Sequence, residues 1–234
     1  SCGIDSSGSI QCWGYDHYGQ VSDTPSGTFV QVSSGFYHSC GIDVDGGVQC
    51  WGRDISGEVS DAPSGSFVQV AAGEYHGCAV DISGAVQCWG DDSEGQSSPP
   101  GGTFLQVSTG CFHTCGINTT GAIECWGDDA YSKVSTVPSG IYTQLSVGFD
   151  HACALNTNGS IECWGATYYG VGTPPAGEFT SLVVGQFHGC AQSVDGDRQC
   201  WGRNEYGQIS NMPNETIKSL SFGKVFSCGI LHIT

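Results

Sequence analysis

Positive charge is what this sequence has least of: six Lys and Arg in 234 residues, against 23 Asp and Glu, for a formal net charge of −17 at pH 7. Charged residues of both signs make up 12% of the chain, against a usual share of about 25%. The acidity therefore reflects missing cations, with no surplus of carboxylates. It is also uneven: within 195–234, Arg198, Arg203, Lys218 and Lys224 balance Asp195, Asp197, Glu205 and Glu215. A field of this sign repels phosphate backbones and anionic bilayers, so neither nucleic acid nor a membrane surface is an expected partner. No run of about twenty apolar residues is present, so no membrane insertion is expected. A helical period is missing throughout. No signal peptide precedes Ser1, which stands one residue before a repeated cysteine, so the sequence reads as a mature or trimmed chain.

Catalytic and metal signals are equally thin. Ser, His and Asp recur by period and do not converge as a triad would, so no catalytic residue and no enzyme activity is assigned. Asp91-Asp92 and Asp128-Asp129 lack the surroundings of an EF-hand. Ten-residue cysteine spacing lacks the CxxC knuckle of zinc sites. No metal or cofactor is expected.

What the chain does have is repetition. The stretch CGIDVDGGVQCWG, residues 40–52, recurs six times, with Trp13, Trp51, Trp89, Trp126, Trp164 and Trp201 spaced by 37 or 38 residues. A period in this range signals a propeller, solenoid or array. Written C-[GA]-x-[DNS]-x-x-G-x-x-x-C-W-G, the unit alternates on both sides of a Gly-containing centre, as paired strands do. The hairpins fall at residues 2–14, 40–52, 78–90, 115–127, 153–165 and 190–202. Placing Cys40 opposite Cys50 sets Ile42 against Val48 and leaves Val44, Asp45 and Gly46 as a three-residue loop with Gly at its left-handed position.

Directly opposed antiparallel residues lie within disulfide range. Six disulfides are therefore predicted: Cys2–Cys12, Cys40–Cys50, Cys78–Cys88, Cys115–Cys125, Cys153–Cys163 and Cys190–Cys200. Each is expected to add roughly 2–3 kcal/mol. Cys111 and Cys228 are left over, to bond each other, stay reduced or cross-link molecules. This cysteine usage points to an oxidising, extracellular compartment. Sequons at Asn118, Asn158 and Asn214 agree with it.

Between hairpins a polar turn, often ending Gly-Gln, leads to a Ser-rich segment, a Pro-x-Gly turn and an apolar strand such as Phe29–Val32. Four short strands per unit are expected, the content of one propeller blade. A single blade cannot bury a core, so Trp and the Ile/Val pairs are expected to fill the space between blades. The prediction is an all-β, single-domain β-propeller over residues 1–234. It has six blades, or seven with one incomplete, because a partial seventh unit occupies 217–234.

The run G-x-[FY]-H-x-C-[GA]-[ILV]…G-x-[IV]-x-C-W-G…G-Q resembles the repeat of the regulator of chromosome condensation family, and is most similar to its secreted, cysteine-bearing members. The resemblance covers nearly the whole chain and implies a β-propeller, typically of seven blades. The family's nuclear role in nucleotide exchange does not suit an acidic, oxidised chain.

His38, His76, His113, His151 and His188 share one repeated position, which is best explained by one repeated structural hydrogen bond. The two residues before each His vary: Phe36-Tyr37, Glu74-Tyr75, Cys111-Phe112, Phe149-Asp150, Gln186-Phe187 and Lys224-Val225. Variation inside a regular frame marks loops that carry recognition. Phe36, Tyr37, Glu74, Tyr75, Phe112, Phe149, Asp150, Gln186 and Phe187 are the candidate binding residues. Their loops are similar to those with which the secreted β-lactamase inhibitory propeller grips its enzyme. A second aromatic group, Tyr15, Tyr18, Tyr131, Tyr168, Tyr169 and Tyr206, follows the Trp-Gly turns. The expected function is a non-catalytic extracellular module that recognises a protein or glycan. The alternatives are a self-assembling subunit of a filament or coat, and a secreted enzyme inhibitor.

Overall fold

The computed structural model describes residues 1–205, 207 and 209–210, and the backbone of 217–222 and 227–231. The chain opens on a hairpin of β1 (Cys2–Ile4) and β2 (Ile10–Cys12). Next come three antiparallel strands, β3 (Phe29–Ser34), β4 (His38–Asp43) and β5 (Val48–Gly52). The pattern recurs as β6 (Phe67–Ala72), β7 (His76–Asp81) and β8 (Val86–Gly90), then as β9 (Phe104–Thr109), β10 (His113–Asn118) and β11 (Ile123–Gly127). It recurs again as β12 (Tyr142–Val147), β13 (His151–Asn156) and β14 (Ile161–Gly165), and as β15 (Phe179–Val184), β16 (His188–Ser193) and β17 (Arg198–Gly202). A two-stranded sheet, β18 (Ile217–Phe222) and β19 (Ser227–Leu231), follows. The first strands of successive sheets, β3, β6, β9, β12, β15 and β18, stand side by side in chain order. The architecture is that of a β-propeller.

The complete sheets have three strands, where four were expected. The Ser-rich segment after Trp-Gly runs through turns, and the reason is local. An Asp three residues after the Trp accepts hydrogen bonds from backbone N–H groups five and six residues further on. Asp16 takes Val21 and Ser22, Asp54 takes Val59 and Ser60, and Asp129 takes Val134 and Ser135. Donors held by a carboxylate are withdrawn from any sheet ladder.

All six expected disulfides are present, across paired residues whose Cα atoms lie 4.0–4.1 Å apart. The register also sets Ile42 against Val48 and Gln192 against Arg198. At the loop, Gly46 sits at φ 88°, where a Cβ is disfavoured. The [DNS] position closes the same turn: Asp43 Oδ1 accepts from Asp45 N and Gly47 N, and Asn118 Oδ1 from Thr120 N and Ala122 N.

Each core cluster spans two neighbouring sheets. Ile117 and Ile123 of one sheet pack with Leu145, Val147 and Trp164 of the next, so the expected filling is found. Every Trp from Trp51 to Trp201 is buried, and its indole N–H donates to a backbone carbonyl of the preceding repeat. The acceptors are Gln20, Glu58, Gln96, Lys133 and Val171, at 2.9–3.1 Å. Trp13 differs, with 48% of its surface exposed.

A second junction went unread in the sequence. Gln31, Gln69 and Gln106 on the first strands each bridge both the N–H and the C=O of the next first strand, at Val70, Val107 and Leu145. Gln144 accepts from Leu182 N. Ser181 stands at the following position. Each such hydrogen bond is worth about 1 kcal/mol net, and much more is lost if its buried partner is left unmade.

The five histidines are buried. His76 Nε2 meets Thr114 Oγ1 at 2.8 Å, whereas neither ring nitrogen of His38, His113 or His151 has a protein partner. The expected repeated hydrogen bond is thus made at His76 and is not general. Three of the rings lie against the glycine that ends the first strand: Gly73 under His76, Gly110 under His113 and Gly148 under His151.

Candidate functional site

The first strand of each sheet ends at a glycine because the next sheet's backbone passes there. A Cβ on Gly35 would lie 2.1 Å from the Gly73 carbonyl oxygen. The chain then crosses toward that neighbour: Phe36 N donates to Gly73 O and Glu74 N to Gly110 O, both at 3.1 Å. This crossing holds the two residues before each His, and the structure splits them. The first members, Phe36, Glu74, Cys111, Phe149 and Gln186, line one central cavity of about 900 Å³ together with Tyr37 and the ends of the first strands.

The second members, Tyr37, Tyr75, Phe112, Asp150 and Phe187, are tied to the loops that follow Trp-Gly. Their carbonyls accept from Arg53, Asp91, Asp128, Ala166 and Arg203 N at 2.7–2.9 Å. The two aromatic groups read separately in the sequence therefore form one surface. Tyr18, Tyr37, Tyr75 and Phe112 make a continuous run with ring centroids 5.5, 6.1 and 5.3 Å apart. A second run joins Phe149 to Phe187 at 5.6 Å, and Phe187 to Tyr168 and Tyr169. Tyr131 joins through Tyr168 at 5.8 Å. Tyr15 sits beside His17, 6.0 Å away. Tyr206, Lys224, Val225 and Asn214 lie outside the described residues, as does the side chain of Cys228.

Asp150 separates the two runs. Its carboxylate accepts from Lys133 Nζ at 2.9 Å and Tyr168 OH at 2.7 Å, and Lys133 also reaches Asp128 at 2.6 Å. Lys133 is fully buried. Burial opposes its charge, but the hydrogen bonds it donates to Asp128 and Asp150 outweigh that and hold its pKa above the usual value. Asp150, offered as a binding residue, is thus committed to an internal ion pair. Removing one member of such a buried trio leaves an uncompensated charge.

The face also holds cations of its own. Arg53 lies over Tyr37 and Tyr75, 5.5 and 4.8 Å from the ring centroids, and pairs with Glu58 at 2.7 Å. Arg203 lies over Tyr169 and Phe187, at 4.9 and 5.7 Å, and pairs with Glu205. Neither arginine stood out in the sequence, although both sit two residues after a Trp. Glu74 is 9% exposed, and its Oε2 has no hydrogen-bond partner. Burial, followed by a hydrogen bond to Glu74, raises the pKa of Tyr75 and of the buried, free Cys111. The Cys111 thiol is therefore kept protonated and unreactive.

Of the sequons, Asn118 is bound into its turn and donates Nδ2 to Glu124 Oε1 at 2.7 Å, whereas Asn158 is exposed. Among the described residues no group of three or more His, Cys, Asp or Glu could hold a metal ion.

Repeated three-stranded sheets, latched side by side around a cavity and presenting loops on one face, define a propeller. Residues 29–58, 67–96 and 142–171 match the family described as regulator of chromosome condensation (RCC1) repeat. No curated protein matches the chain. Among solved structures, the chain is similar to the entire ectodomain of the Physcomitrella patens receptor kinase CR4, with 28% identity and a TM-score of 0.84, over 99% of this chain and 67% of that one. It shares its fold with the CRINKLY WD40 ectodomain of the Arabidopsis thaliana receptor kinase ACR4, at 23% identity and TM-score 0.80, over 98% and 87% of the two chains. The same holds for Prp20p of Saccharomyces cerevisiae, a protein studied for its binding to Gsp1p and histones, at 16% identity and TM-score 0.72, over 88% and 70%.

Proposed function

We propose that this chain is one extracellular, disulfide-stapled propeller domain that binds a protein partner through the loop face built around Tyr37, Tyr75, Phe112 and Phe187, without catalysis. The observation that carries this reading is the aromatic run itself. Large rings held half-buried by backbone hydrogen bonds offer contact area at little entropic cost, as binding hot spots do. Six disulfides and the likeness to receptor-kinase ectodomains support an extracellular setting. The test is capture of secreted and cell-surface proteins by immobilised wild-type chain and by a Tyr37→Ala, Tyr75→Ala, Phe112→Ala variant. A partner retained by the first and lost by the second supports the face; equal retention by both counts against it. An enzyme among the captured partners would specify the inhibitor reading.

A further inference from the structure

The central cavity has a chemistry of its own. Its volume of about 900 Å³ falls within the range of small-ligand sites, about 300–1,000 Å³. Phe36, Glu74, Cys111, Phe149 and Gln186 reach its wall in chain order, because the first strands of successive sheets stand side by side. The two phenyl rings and the valines of the first strands make much of that wall apolar. Among the described lining residues there is no Lys, Arg or His, and Glu74 is the one carboxylate.

Glu74 is only 9% exposed, yet no cation of the chain meets it. Among the described residues it enters no ion pair: Arg53 is taken by Glu58, and Lys133 by Asp128 and Asp150. The groups hydrogen-bonded to it, the Tyr75 hydroxyl and the Cys111 thiol, are neutral. Its Oε2 has no partner, and neither has Gln186 Oε1 on the same wall. A buried carboxylate without a counter-charge is costly, so a bound cation would stabilise it. One carboxylate supplies too few ligands for a metal ion, whereas apolar walls and ring faces suit an organic cation. We propose that the central cavity binds a small organic amine, its ammonium N–H donated to Glu74 Oε2 and its carbon body against the phenyl rings of the wall. Gln186 Oε1 accepts from a further donor of the ligand. A chain of net charge −17 draws such a cation toward it. The site does not depend on the partner-binding face.

The test is titration calorimetry of the intact, disulfide-bonded chain with phenethylamine, its neutral counterpart phenethyl alcohol and its anionic counterpart phenylacetate. The amine should bind at least about tenfold more tightly than the alcohol, and phenylacetate should not bind. Glu74→Gln keeps the shape of the side chain and should weaken the amine about tenfold, with an unchanged circular dichroism spectrum. Phe112→Ala, outside the cavity lining, should leave amine affinity unaltered. Equal affinity for amine and alcohol in the wild-type chain overturns the proposal without recourse to any variant. An amine held as tightly by Glu74→Gln as by wild type also overturns it. Loss of the amine on Phe112→Ala would put it on the loop face instead, and no binding by phenethylamine, hexylamine or tryptamine at millimolar concentration would leave the cavity without this ligand class. Either result overturns the proposal while leaving the protein-binding face untouched.

Discussion

Between the sheets, one side chain meets one carbonyl five times over, whereas on the loop face the residue two places after the Trp runs through Tyr15, Arg53, Asp91, Asp128, Ala166 and Arg203. The framework positions share one chemistry because each sheet sees the same neighbour. The face positions look outward and are free to differ. Framework and face should therefore respond separately to perturbation, framework changes in stability and face changes in binding.

Acid should have the largest effect, and between about pH 7 and pH 4 it acts through the five buried histidines of the framework. Burial lowers the pKa of His38 to about 3, of His76, His151 and His188 to about 4, and of His113 well below its usual value. In the unfolded chain each returns to about 6.5, so below that pH the unfolded state binds more protons. Stability is thus complete above about pH 6.5 and is lost as pH falls from there through the folded values. Urea titrations between about pH 7 and pH 4 should show midpoints falling with an uptake approaching about five protons. A flat profile would show that these rings are not buried neutral.

Trp126→Ala comes next. It removes a buried indole that packs on Phe104 and donates to Gln96 O, at a cost of about 3–5 kcal/mol in a denaturant titration. Trp13→Ala, at the exposed counterpart, should cost under about 1 kcal/mol. Gln106→Ala opens the clamp on Leu145 and should cost about 1–3 kcal/mol through the unmet N–H and C=O. Tyr75→Ala should shift stability by about 1 kcal/mol or less while removing most partner binding. A large loss of stability from Tyr75→Ala would mean the ring belongs to the framework. In a glycosylating secretory host, Asn158 should carry a glycan and Asn118 should not, read by peptide mass spectrometry.

How much was legible follows the same division. The hairpins, their cysteine pairs, the Ile/Val pairs and the packing of Trp between sheets could all be read, because period, opposition and apolarity are local properties of one repeat. The Gln31–Val70 clamp was not legible, since a glutamine on a strand carries no mark of which neighbour it bridges. The fourth strand failed because Asp16, Asp54 and Asp129 capture backbone donors, a competition that propensity does not reveal. Glu74 and Tyr75 were treated alike because adjacent residues differ only once the crossing backbone turns one into the cavity and the other onto the face. Asp150 looked available until Lys133, seventeen residues away in sequence, was placed against it.

Amide hydrogen exchange with and without a captured partner protein tests the location of recognition most directly. The account predicts slowed exchange at Glu74–Tyr75, at Cys111–Phe112 and across 91–96, with the hairpin turns at 43–47 and 81–85 unchanged. Protection at those turns, with the crossings unaffected, would place recognition on the other side of the repeats and contradict it.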